Sequence, residues 1–131
     1  MLLDVFRPDP RYGPPSREAL RRAYAQGALV ACEIVWAELR AHFPGDRVFD
    51  EALRTMGIRF DPLSPETATV AGRLWRETRR AGKGPRERAV ADFLVGAHAQ
   101  HQAEALLTRD LAFYRRHFKG LRLIDPGAPP A

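Results

Sequence analysis

The sequence predicts an α/β domain with a mostly parallel central sheet. Two observations carry that prediction. Short apolar runs of strand length alternate with amphipathic stretches of helix length, the order that βαβ units require. The apolar runs, ALVAC at 28–32, ALLT at 105–108 and LRLI at 121–124, have the length of short buried strands, which parallel sheets favour. A third observation bounds the size: 131 residues, 45% of them hydrophobic, make one domain with a sizeable core.

The elements follow in order. Pro8, Pro10, Gly13, Pro14 and Pro15 make an irregular opening. Ser16 can N-cap a helix through Gln26, with Gly27 as its stop. After the strand at 28–32, a helix is expected from Glu33 to Phe43, ended by Pro44-Gly45. Asp46 caps the next helix, which turns Val48, Phe49, Ala52, Leu53 and Met56 inward and stops at Gly57. Ile58–Leu63 reads as extended chain or a poor strand. Ser64-Pro65-Glu66 is a strong helix start: an N-cap, a proline in the first turn and an acid near the positive end of the dipole. That helix runs to Arg80 with Ala68, Ala71, Leu74 and Trp75 inward. Residues 81–86 form a basic loop, and a further helix is expected from Glu87 to Gln102. The strand at 105–108, a helix from Asp110 to His117 and the strand at 121–124 complete the domain. One domain spanning 1–126 is expected, with 127–131 as a frayed tail.

Lysine and arginine outnumber aspartate and glutamate by 21 to 16, and the pI is about 10.1. The excess is nearly all arginine, which binds phosphate bidentately, so nucleic acid is a sensible partner class. Arginine-rich genomes produce the same bias. A single cysteine, Cys32, excludes an internal disulfide and suits a reducing compartment. No stretch reaches the roughly 18 apolar residues of a membrane span, and the N-terminus does not read as a signal peptide.

In open α/β sheets ligands bind beyond the carboxyl ends of the strands. Three acids stand in suggestive positions, one of them just past a strand. Glu38 lies within EIVWAEL, Asp92 within VADFLVGAHA, and Asp110 follows ALLT by way of Arg109. A carboxylate among apolar neighbours costs free energy unless it is paired, hydrogen-bonded or metal-bound. Two carboxylates about 4 Å apart repel by about 4 kcal/mol at an effective dielectric of 20. A divalent cation reverses that sign. Each acid also has a plainer reading: Glu38 as helix surface, Asp92 as a local hydrogen-bonder near a helix start, and Asp110 as an N-cap.

The C-terminal stretch ADFLVGAHAQHQAEALLTRDLAFYRRHFKGLRLIDP resembles PIN-domain proteins of the VapC toxin type. ALVACEIVWAEL is similar to that family's second acidic motif, and LLDVFRPDPRYG to the continuation of its first. The resemblance implies an α/β/α sandwich whose strand-end acids hold Mg²⁺ or Mn²⁺ and activate water for attack on an RNA phosphodiester. It places the ligands on Glu38, Asp92 and Asp110. Hard cations do take oxygen ligands. It also implies a cytoplasmic homodimer and a cognate antitoxin that blocks the site.

The sequence departs from that pattern in two places. The family's first motif has an aspartate at the end of the central strand, ahead of an apolar run; here the run begins at Met1-Leu2-Leu3. The first strand and its aspartate are therefore expected upstream of Met1, through a misassigned start, with real truncation as the alternative. Asp4 lies too far along to replace that ligand. The family's less regular fourth acid is absent, since Leu111-Ala112 stand where it is expected.

Other residues are secondary. Thr108 can hydrogen-bond a ligand carboxylate, and Arg109 can pair with the acids or touch phosphate. His98 and His101 read as surface or partly buried residues, Gly96, Ala97 and Ala99 as close-packing positions, and Cys32 as a small core residue. Trp36 and Trp75 read as core or interface residues. Arg79, Arg80, Lys83, Arg86 and Arg88 form a basic run that is either a solvated loop or a phosphate-positioning segment. The expected activity is metal-dependent endoribonuclease. Its rivals are an inactive PIN-like binding module and a non-nuclease Mg²⁺-binding α/β domain; the missing Gly-rich phosphate loop disfavours the latter.

Overall fold

The computed structural model describes residues 29–81 and 90–125. The expected helix at 16–26, the greater part of the basic loop and the C-terminal tail lie outside the described residues. The order of elements within them is β1 (Leu29–Ala31), α1 (Glu33–Arg40), α2 (Asp46–Met56), β2 (Ile58–Phe60), α3 (Pro65–Arg80), α4 (Val90–Gln102), β3 (Ala105–Leu107), α5 (Leu111–His117) and β4 (Arg122–Ile124).

The strands pair in parallel, as expected, but among the described residues they form two pairs instead of one continuous sheet. β1 pairs with β2, Leu29 opposite Ile58 and Ala31 opposite Phe60. β3 pairs with β4, Ala105 opposite Arg122 and Leu107 opposite Ile124. Each ladder continues one step: Asp61 N–H donates to the Ala31 carbonyl (2.9 Å), and Thr108 N–H to the Ile124 carbonyl (3.1 Å). The extended segment after Gly57 is thus a true strand, held by its parallel partner despite its polar content.

Each pair has its own core. Leu39, Phe49 and Leu53 of α1 and α2 bury against Ala31 and Ile58. Trp36 stands edge-on to Phe49 (5.4 Å between centroids) and to Phe60 (5.3 Å). The larger core joins Ala71 of α3, Phe93 and Ala97 of α4, and Phe113, Tyr114 and Phe118, with Leu106 and Leu123 packed against them. Gly96 belongs to it for lack of a side chain. A Cβ there would stand 2.5 Å from Cζ and 2.7 Å from Cδ2 of Phe118, far inside contact distance.

Helix ends follow sequence chemistry with one correction at a cap, and two more concern which helix residues are buried. Ser64 caps α3 as predicted: its Oγ accepts the Thr67 N–H at 3.1 Å. Gly57 ends α2 with φ +68°, a backbone region that costs glycine nothing. The residue capping α2 is Gly45, not Asp46; Asp46 opens the first turn and pairs with Arg40 Nε at 2.6 Å. Val48 is exposed although its spacing suggested the buried face. On α3, Thr67 is buried and Ala68 exposed, the reverse of the apolar rule. Thr67 tolerates burial because its Oγ1 accepts the Ser64 hydroxyl at 2.9 Å, which offsets the desolvation of its oxygen.

Candidate functional site

Asp110 is the best-defined of the three acids. It follows β3 and occupies the N-cap position of α5, yet its carboxylate makes no capping hydrogen bond. Its backbone N–H instead donates to Thr108 Oγ1 at 3.0 Å. Thr108 is itself tied to Ile124, so the turn Thr108-Arg109-Asp110 is anchored to the β3–β4 ladder. Arg109 is exposed within that turn and Asp110 is half-buried. Thr108 therefore orients the backbone that carries the carboxylate.

Asp92 sits in the first turn of α4, half-buried beside Phe93, which is fully enclosed. Asp92 and Asp110 both take part in interactions within the protein. Glu38 lies in the last turn of α1 and is exposed, while Leu39 beside it is buried. α1 packs on α4, so the helices bearing Glu38 and Asp92 are neighbours.

Among the described residues, no three His, Cys, Asp or Glu side chains stand close enough to hold a metal ion together. The donor chemistry of Glu38, Asp92 and Asp110, carboxylate oxygen throughout, fits a hard cation. The described residues do not by themselves complete a metal centre.

Two features escaped the sequence reading. Asp125 follows β4 as Asp110 follows β3, which places both at the carboxyl end of the same parallel pair. The signal was present: LRLI is followed at once by an acid. The second is a polar clasp. His98, expected at the surface or partly buried, is buried at 5% exposure, with Nε2 2.8 Å from Asp61 Oδ2. Gln102 Nε2 donates to the same oxygen (3.2 Å) and to the Pro62 carbonyl (2.8 Å), while Gln102 Oε1 accepts the Ser64 N–H (2.9 Å). Glu33 Oε1 accepts the Leu63 N–H (2.8 Å) from the other side. The loop at 61–64 is thereby fastened to both α1 and α4, one helix turn apart on α4 as i and i+4 spacing allows.

Cys32 is buried at 1% exposure between β1 and α1, and burial pushes its thiol pKa up. Trp75 is half-buried beneath the Arg79 guanidinium, 4.8 Å from the ring centroid. No described helix is long and apolar enough to cross a membrane.

Parallel strands with acids just past their carboxyl ends, flanked by helices that carry further acids, define an α/β domain of the strand-end acidic class. The chain belongs to the PIN domain family, which it matches over residues 2–119. In fold it is similar to a chain of the VapBC2 complex from Rickettsia felis, solved bound to a DNA fragment from its promoter. The two share 19% identity over 93% of this chain and 90% of that one, with a TM-score of 0.66. At that identity the likeness concerns the fold. No curated protein matches the chain.

Proposed function

We propose that this chain is a metal-dependent endoribonuclease of the VapC toxin type, neutralised by a cognate antitoxin and acting as a homodimer. The observation that supports it best is the placement of Asp110 just past β3, in a turn anchored to the β3–β4 ladder, in a chain of the PIN domain family. Glu38, Asp92 and Asp110 are the proposed ligands of Mg²⁺ or Mn²⁺. When bound, such an ion lowers the pKa of water and stabilises the charge developing on phosphoryl oxygens. Thr108 holds the turn that presents Asp110, and Arg109, exposed beside it, is suited to contact phosphate. The antitoxin partner is suggested by the VapBC2 complex.

The test is cleavage of a broad RNA panel with Mg²⁺ or Mn²⁺, comparing the chain with its Asp92→Asn and Asp110→Asn variants. The same assay is run on the chain extended by any codons read in frame ahead of Met1. Metal-dependent cleavage abolished by either substitution supports the reading; cleavage equal in all of them would sink it. A second reading, an inactive PIN-like module retaining only the antitoxin interface, is favoured by the failure of the described acids to gather in a group of three. Metal binding without cleavage would not separate the two, whereas capture by a co-expressed antitoxin together with catalytic silence would favour the second.

A further inference from the structure

Helix α3 carries Arg73, Arg76, Arg79 and Arg80, all exposed. At about 100° per residue they fall within one arc of roughly 120°. That arc lies opposite the buried edge formed by Thr67, Ala71 and Leu74. The stripe from Arg73 to Arg80 is about 10 Å long at 1.5 Å per residue. No salt bridge to a described carboxylate occupies Arg73, Arg76 or Arg80. Arg79 is held over Trp75 at 4.8 Å, which fixes its stem along the helix surface.

The location matters as much as the charge. α3 and α4 pack against each other, and the Ser64–Gln102 hydrogen bond sets the start of α3 beside the end of α4. The two helices are therefore antiparallel, and the arginine-bearing end of α3 lies at the same end of the hairpin as Asp92 in the first turn of α4.

We propose that Arg73, Arg76 and Arg80 form a phosphate-binding track for a single RNA strand on the outer face of α3, at the end of the α3–α4 hairpin that also carries Asp92; this rests on the nuclease reading above. Charge complementarity selects the occupant. Three guanidinium groups spread along about 10 Å of helix, each on a long flexible arm, can each meet one phosphate of a single strand. Planar guanidinium groups bind such oxygens in pairs, whereas a lysine offers only a point charge. Contacts of this kind position a strand without reading its bases.

The experiment measures binding of a fluorescein-labelled, mixed-sequence oligoribonucleotide in EDTA, where no metal supports cleavage, at several salt concentrations. The proteins are the wild type, the triple variant R73Q/R76Q/R80Q and a control, R47Q/R54Q, on α2. Circular dichroism verifies that each is folded. Each single-strand phosphate contact contributes about −0.7 to the slope of log K against log salt, so the triple variant should flatten the slope by about 2. Between 50 and 200 mM salt it should then lose roughly sixteenfold less affinity than the wild type. The control should keep the wild-type slope. Equal slopes for the triple variant and control, no RNA binding by the wild type, or a preference for poly-glutamate over RNA at matched charge would each overturn the proposal. Metal-dependent cleavage measured in parallel separates the two claims. Unaltered slopes with intact cleavage remove only the track; flattened slopes with no cleavage by any protein remove only the nuclease reading.

Discussion

Gly96→Ala tests the packing of the larger core most sharply. The new methyl would stand 2.5 and 2.7 Å from two ring carbons of Phe118, where ordinary contact is 3.5–4.0 Å. Cε2 of the same ring stands closer still, so the ring would have to recede by more than about 1 Å on that measure. It has little room: Phe118 is 2% exposed and lies against Tyr114 (6.0 Å between centroids) and Phe93 (6.5 Å). Overpacking of this kind costs about 1–3 kcal/mol. Against it stands the better helix propensity of alanine, worth up to about 1 kcal/mol. The net expectation is a loss of about 1–2 kcal/mol, or a fall in Tm of roughly 3–10 °C for a domain of this size. Thermal and urea unfolding followed by circular dichroism would measure it. Because the cause is one named ring, the loss should vanish or reverse when the same substitution is made in Phe118→Leu, as a double-mutant cycle reports. An equal loss in both backgrounds, or a rise in Tm from Gly96→Ala alone, would refute the reasoning.

Further outcomes are expected. Asp61→Ala should cost about 1–3 kcal/mol, because it leaves the buried His98 ring and one Gln102 donor without their acceptor; urea unfolding reads it. Ser64→Ala should cost about 1 kcal/mol by removing the cap of α3, with Ser64→Thr recovering most of it. Asp92→Asn and Asp110→Asn should each abolish metal-dependent RNA cleavage while leaving the salt slope of RNA binding in EDTA close to wild type. The raised pKa of Cys32 means that the folded thiol holds its proton when the unfolded one has lost it. Its contribution is therefore complete below the ordinary cysteine value of about 8.5 and declines as pH rises above it. Urea midpoints measured through that range should fall more steeply for the wild type than for Cys32→Ala.

Local chemistry was the most legible part of the sequence. Ser64-Pro65-Glu66 announced α3 because capping, proline placement and dipole preference all act within a few residues. Gly57 announced the end of α2 for the same reason. The parallel pairing followed from the alternation of short apolar runs with helices. The PIN resemblance rested on DFLVGAHA and TRD, and the family match over residues 2–119 upholds it. Burial was less legible wherever a distant partner decides it. His98 is inside because Asp61, 37 positions away, supplies an acceptor, and no window along the chain contains both. Val48 satisfies the helical period yet faces out, since period fixes a face but not what covers its edge. For the candidate site, the turn bearing Asp110 was readable; Thr108 was expected to bond a carboxylate, and its hydroxyl instead accepts the backbone N–H of Asp110. Whether Glu38, Asp92 and Asp110 converge depends on how helices cross, and the spacing of residues in a chain carries no such angle. Asp125 was overlooked although the rule that singled out Asp110 applies to it equally.

The burial of Cys32 has a practical consequence for following motion in this protein. It is the chain's single cysteine, so a thiol reagent has one target. That target is closed off at the junction where β1 passes into α1, its carbonyl engaged by Trp36 N–H at 2.9 Å. Labelling therefore requires the junction to open, and under rapid reclosing the labelling rate gives the free energy of that opening directly. Glu38 rides on the same helix. Comparing the rate with and without Mg²⁺, or with and without RNA, would reveal whether a ligand tightens this part of the fold, with no engineered probe introduced.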